Sequence, residues 1–250
     1  MKADILIPTD INEIPLSSYQ KFMETYKNST DDEFVCQKMV QIFCGLELRD
    51  VLKVRWSDVE DIVTHVSKIF KEKPVFEKTF TLNNVEFGFI PDIENMSFGE
   101  YIDLENNIMD LENLHKAMAV LYRPITAKSK GKYQIQQYEG TANYSEVMKY
   151  APLGIALAAK LFFWTLSSEL LKSTLQYIQR EMKKQMKEKP SHKEQFLLKT
   201  GVGINQYMQL LKETLQNFQK SPASEYRTAL PGLLLKSRKE ISKMQKCKEN

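Results

Sequence analysis

The chain has 250 residues, 42% of them hydrophobic and 27% charged, with 35 Lys and Arg against 32 Asp and Glu for a formal net charge of +3. That length can bury a sizeable apolar core as one large domain or two small ones, the composition excludes global disorder, and the small net charge gives no footprint of a nucleic-acid protein. Three cysteines, Cys36, Cys44 and Cys247, with no Cys-x-x-Cys pair, argue against a disulfide framework or a zinc site and for a reducing compartment.

MKADILIPTD at the start lacks the apolar run of a signal peptide and carries acids where a transit peptide would not, so no targeting segment is expected. Residues 3 to 8, short, apolar and ending on Pro8, predict a strand. Ser17 with Gln20 three residues on has the spacing of a capping box and predicts a helix to about Tyr26. Apolar residues at 35, 39, 40 and 43 predict a second helix over 31 to 44, stopped by Gly45. A serine start at Ser57 opens a third, whose apolar face is Val59, Ile62, Val63, Val66, Ile69 and Phe70. Lys71 to Pro74 closes it, with positive charge at the negative end of the dipole.

From Val75 the period becomes two. Residues 75 to 81 and 85 to 90 flank Asn83-Asn84, a pair that tolerates positive φ and predicts a tight hairpin, which with the N-terminal strand would make a small three-stranded sheet. Ser97 and Glu100 form a further capping box, with Met96 and Tyr101 spaced for a hydrophobic staple. Residues 12 to 19 and 94 to 101 share a faint pattern, read as one strand-turn-helix device used twice. LHKAMAVLYRPI, residues 114 to 125, predicts a buried helix whose exit is forced into extended backbone by Pro124. The most apolar stretch, 151 to 166, is short of the roughly 20 residues of a bilayer span and holds Lys160, so it reads as a core helix. It continues to about Lys189, with a break expected near Ser167-Ser168, and its polar second half must meet solvent or a partner.

The expected fold is therefore mainly α with a small β-sheet (α+β), a helical bundle with a short β-hairpin and an extended C-terminal arm. Its expected divisions are a core over 1–190 with the hairpin at about 75–90, a helical segment over 191–220 and a basic arm over 221–250. The arm's apolar island at 230 to 235 needs a cover.

Catalytic chemistry is not legible. His65, His115 and His192 stand apart from ligand-like neighbours and read as structural or surface histidines. Gly201-Val202-Gly203 lacks the lysine and hydroxyl of a P-loop, the serines lack a nucleophile elbow, and no carboxylate spacing suits a metal. No enzyme activity, cofactor or metal is expected.

Charge distribution is more informative. Seven acids (Asp92, Glu94, Glu100, Asp103, Glu105, Asp110, Glu112) and no base occupy 92 to 112, while six bases face two acids from Lys236 to Asn250. The acids read either as a solvated helix face or as a surface for basic side chains of an adjacent subunit. The basic tail admits nonspecific nucleic-acid contact, although it has no aromatic residue after Tyr226 to stack on single strands. Arg123 reads as a cap on the last carbonyls of its helix, or as a partner for one of the preceding acids. Either role makes a rigid corner, and Arg123→Ala is expected to impair assembly more than folding.

Residues 87–125, followed by YQIQQYEG at 133–140 and LFFWTLSSELL at 161–171, resemble structural or assembly proteins of tailed bacteriophages of Bacteroidetes, closest to the neck and tail ring proteins of crAss-like phages. The resemblance implies a non-enzymatic virion component, assembled in the host cytoplasm. Its partners would be further copies of itself in a dodecamer-type homo-oligomeric ring, the portal and other neck or tail proteins, with nonspecific contact to phage DNA and no membrane. The alternative it leaves open is a tail-assembly chaperone on the tape-measure protein, absent from the finished particle. The expected subunit-interface residues are Glu100, Asp103, Glu105, Asp110 and Arg123 on one side and Leu233, Leu234, Lys236, Arg238 and Lys239 on the other.

Overall fold

In the computed structural model, which describes residues 5–188, the chain enters without a strand. Pro8 has no N–H to give a ladder, its carbonyl accepts from His65 Nε2 (3.1 Å), and Asp10 then caps a 3-10 turn over Ile11–Glu13. The strand expected at 3 to 8 is thus absent over its described part. Helix α1 (Leu16–Asn28) begins at Pro15 rather than at a serine cap. Its first amides are satisfied from far along the chain, Leu16 N donating to Ala151 O (3.0 Å) and Ser17 N to Lys149 O (2.8 Å), so no side-chain cap is needed there.

Helix α2 (Asp32–Phe43) starts where the sequence predicts, because the Asp31 carboxylate accepts from Glu33 N (3.0 Å) and Phe34 N (3.2 Å). Gly45 follows it at φ +65°. A short α3 (Leu48–Val51) leads to α4 (Trp56–Ile69), which buries Val59, Ile62, Val63, Val66 and Ile69, with Phe70 just beyond. Rings join these helices: Tyr19 to Phe70 (5.5 Å), Phe43 to Phe70 (5.4 Å) and Phe22 to Phe43 (5.2 Å).

Strands β1 (Thr79–Leu82) and β2 (Val85–Phe89) form the predicted hairpin, with Asn83 at φ 49° and Asn84 at φ 63° as the two turn residues. Helices α5 (Phe98–Ile108) and α6 (Leu114–Leu121) follow, and α6 stops where Pro124 requires, Tyr122 passing directly into β3 (Tyr122–Ser129). The third strand of the sheet is this one. A second hairpin, turned at Lys130 (φ 48°) and Gly131 (φ 76°), adds β4 (Lys132–Ile135) and gives an antiparallel sheet ordered β1-β2-β3-β4. One sheet face is aromatic: Phe80 stacks on Phe87 (5.5 Å), and Tyr122 meets Phe80 and Phe89 edge-on (5.2 Å each). On the opposite face Gly88 lies across from Arg123, and a Cβ at Gly88 would come within 2.6 Å of Tyr133 Cε2.

After α7 (Ser145–Met148), helix α8 (Leu153–Glu188) runs through Ser167-Ser168 unbroken. Either side of that pair, Thr165 Oγ1 donates to Leu161 O and Thr174 Oγ1 to Leu170 O (2.9 Å each), each hydroxyl turned back onto its own helix, while Ser168 Oγ is buried without a hydrogen-bond partner among the described residues. Leu153–Glu181 is long and apolar enough, by length and composition, to cross a membrane. Its first turns are core nonetheless, with every residue from Leu153 to Lys160 buried. The described residues fall into two units, one ending at Lys160 and one beginning at Leu161. In the second, Ser168 and Leu175 are buried and Leu166, Leu170 and Tyr177 exposed. The fold is mainly helical with a small antiparallel sheet, as the sequence predicts. The segments expected over 191–220 and 221–250 lie outside the described residues.

Candidate functional site

Helix α5 carries most of the acidic run and has two distinct faces. Its start is the predicted capping box: Ser97 Oγ accepts from Glu100 N (3.3 Å), and Glu100 Oε2 accepts from Ser97 N (2.7 Å). The inner face buries Glu100, Leu104 and Ile108. Lys160 Nζ donates to the carbonyl of Met109 (3.0 Å), setting a cation at the negative end of the helix.

Arg123 meets this inner face from β3. Its guanidinium donates to Glu100 Oε1 at 2.5 Å, the two side chains being 6% and 9% exposed. It lies over the Tyr138 ring (5.5 Å to the centroid), and the Tyr138 hydroxyl donates to Asp103. Burial alone would raise the Glu100 carboxyl. The Ser97 amide and hydroxyl and the Arg123 charge outweigh it and hold the group below its ordinary value of 4.5. Burial, and then the Asp103 carboxylate, push the Tyr138 phenol up, so it stays a donor. Arg123 Nε is buried without a hydrogen-bond partner.

Two expectations are corrected here. Arg123 does not cap its own helix, since it belongs to β3 and reaches back to α5. Glu100 and Arg123, expected at a subunit surface, are inside the protomer and neutralise one another. Asp103 is half-buried and committed to Tyr138, and Asp110 accepts from Glu112 N (3.0 Å) and Asn113 Nδ2 (2.5 Å) in the turn after α5. Glu105 is exposed and, like exposed Glu94, its carboxylate has no partner among the described residues. Leu233, Leu234, Lys236, Arg238 and Lys239 lie outside the described residues.

The outer face of α5 holds residues that sequence reasoning missed as surface. Phe98 is 78% exposed, Tyr101 53%, Ile102 37% and Met109 45%. With Glu105 they sit at i, i+3, i+4, i+7 and i+11, within one stripe of a 3.6-residue helix. Tyr101, expected in a staple with Met96, is more than half exposed. The signal was present in sequence: FGEYIDLENNIM has apolar residues on more than one helical face, too many for a helix with a single buried side.

Other reactive groups are sequestered. Burial lifts the Cys36 thiol to about 11, helped by Asp32, Glu33 and Glu60, and burial lifts Cys44 to about 11 as well. His115 lies with Nδ1 3.2 Å from Gln20 Nε2, and burial, with Lys149 and Lys116 nearby, lowers its pKa. Among the described residues no group of His, Cys, Asp and Glu is placed to hold a metal ion. No protein-family model matches this chain, nor does a curated protein or a solved structure.

Proposed function

We propose that the chain is a structural component of a tailed-phage virion, one protomer of an oligomeric ring in the neck or tail that connects portal to tail and surrounds the DNA path. The likeness of residues 87–125, 133–140 and 161–171 to phage neck and tail ring proteins motivates this reading. The observation that carries it is the outer face of α5, where four large apolar side chains stand open to solvent beside unengaged carboxylates. Singly exposed apolar residues are ordinary, whereas a contiguous stripe on one helix marks an interaction surface. A ring suits such a surface, because a head-to-tail contact repeated about a closed rotation needs one patch per chain that another part of the same chain fits. The Glu100–Arg123 pair supports it from within, tying α5 to the sheet so that the stripe is presented on a fixed element.

The test is quantitative mass spectrometry of purified, DNA-filled particles, counting this chain against the portal protein. A ratio at or near a whole number is the expected result. Abundance in infected cells with absence from the particle would overturn the ring and assign the chain to tail assembly as a chaperone of the tape-measure protein.

A further inference from the structure

The α5 stripe is an unfilled half of a contact, and its chemistry specifies the other half. Phe98, Tyr101, Ile102 and Met109 offer an apolar spine, and Glu105 lies within it. Glu94 stands just before the helix, and not one lysine or arginine occurs between Asp92 and Glu112. A fitting ligand is a peptide segment with a few large aliphatic side chains and a cluster of positive charges. This chain contains one. Residues 233 to 248, LLLKSRKEISKMQKCK, combine Leu233, Leu234, Leu235, Ile241 and Met244 with six bases against one acid.

We infer that the α5 face is the docking surface for the basic C-terminal segment, residues 233–248, of a second copy of the chain. The inference rests on the ring reading and adds the identity of the contact. The apolar side chains of the segment cover the spine, and Lys236, Arg238 and Lys239 reach Glu94 and Glu105. Acid on α5 and base on the arm make the contact one between two different surfaces, the kind that a head-to-tail ring uses. Screening shortens the reach of these pairs to about 8 Å at physiological salt, so added salt weakens assembly.

The experiment is a charge swap in the full-length chain, read as molar mass by light scattering. One variant carries Glu94→Lys and Glu105→Lys, the other Lys236→Glu, Arg238→Glu and Lys239→Glu. The wild type is expected to be oligomeric, each variant alone to fall to monomer mass with its thermal melt retained, and an equimolar mixture of the two to reassemble. The mixture recovers because the reversed arm of one variant meets the reversed helix face of the other, while the remaining arm and helix face keep their original charges and pair as in the wild type. Variants that both assemble like the wild type would overturn the docking while leaving the ring intact. Two monomeric variants whose mixture stays monomeric would overturn docking between copies. A wild type that is monomeric at every concentration would overturn both the docking and the ring. Carbodiimide coupling of an equal mixture of isotope-labelled and unlabelled unaltered chain gives an answer free of substitutions: Glu94 or Glu105 of one chain joined to Lys236, Lys239 or Lys243 of the other is the expected product, and links confined to other lysines or to a single chain refute the proposal.

Discussion

Replacing Arg123 by methionine isolates the energetics of the inner face of α5. Methionine keeps much of the buried stem while deleting the charge, so the main loss is the ion pair rather than packing. Glu100 would then remain 93% buried with only the Ser97 groups to hold its charge. Stripping one partner from a buried pair costs about 3–5 kcal/mol, and the surviving Ser97 amide places this case near the lower end. A loss of about 3 kcal/mol lowers the melting temperature by roughly 6–12 °C in a chain of this size. Removing both charges together, as Glu100→Leu with Arg123→Met, leaves no uncompensated ion; the remaining cost is the broken capping box, about 0.5–2 kcal/mol. Urea unfolding of the two single variants and the double variant therefore closes a cycle with a strong favourable coupling. An Arg123→Met loss below about 1 kcal/mol, or a double variant as damaged as the sum of the singles, would refute the reasoning. Because the pair is interior, Arg123→Ala is predicted to lower folding stability first, with any assembly lost as a consequence, the reverse of the order expected from sequence.

The other predictions are checked by the same unfolding measurements. Gly88→Ala would drive a methyl to 2.6 Å from Tyr133 Cε2 and 2.9 Å from Ile125 Cγ1, and should cost about 1–3 kcal/mol by overpacking. Asn84→Val, at φ 63°, should cost about 1–2 kcal/mol through its left-handed backbone, whereas Asn84→Gly should be tolerated. Stability should be level from pH 8 to 7 and fall below 6.5: the unfolded chain protonates His115 at its ordinary 6.5, and the folded chain resists until a lower pH. A second loss should follow below 4.5, as protonation removes the charge that Arg123 and the Ser97 amide stabilise on Glu100. His115→Gln should flatten the first decline and leave the second. Phe98→Ser should change stability by no more than about 0.5 kcal/mol, because the side chain is 78% exposed, yet lower the sedimenting mass if the proposed ring forms through this stripe.

What could be read from sequence divides by the range of the interactions responsible. Asp31 and the Ser97/Glu100 box announce their helices because both ends of the capping interaction lie within three residues. Asn83-Asn84 announces its hairpin for the same reason. Ser17 and Ser57 mislead because α1 and α4 start one residue earlier, at Leu16 and Trp56, and α1 draws its first hydrogen-bond acceptors from Lys149 and Ala151. No local pattern records that. The second hairpin had a legible turn in Lys130-Gly131, yet its strands alternate weakly, and Tyr133 is placed by hydroxyl donation to Phe89 O (2.8 Å) on a strand far away in sequence. Arg123 shows the limit most plainly. Its helix exit is dictated by Pro124, one residue away, but the choice between capping α6 and pairing with an acid depends on where the sheet sets β3 relative to α5.

That division also separates what α5 does for the fold from what it offers to a partner. Its inner acid, Glu100, is neutralised within the protomer by an arginine that the sheet delivers. Its outer acid, Glu105, has no such partner among the described residues and stands among side chains that a monomer would normally bury. One acidic run of sequence therefore has two physical meanings, set by the roughly 140° that five residues at about 100° each put between Glu100 and Glu105 on a 3.6-residue helix. The inner face makes the element rigid. In the proposed ring the outer face would give that rigidity a use, because a contact repeated around a ring accumulates any error in the angle at which each protomer presents it.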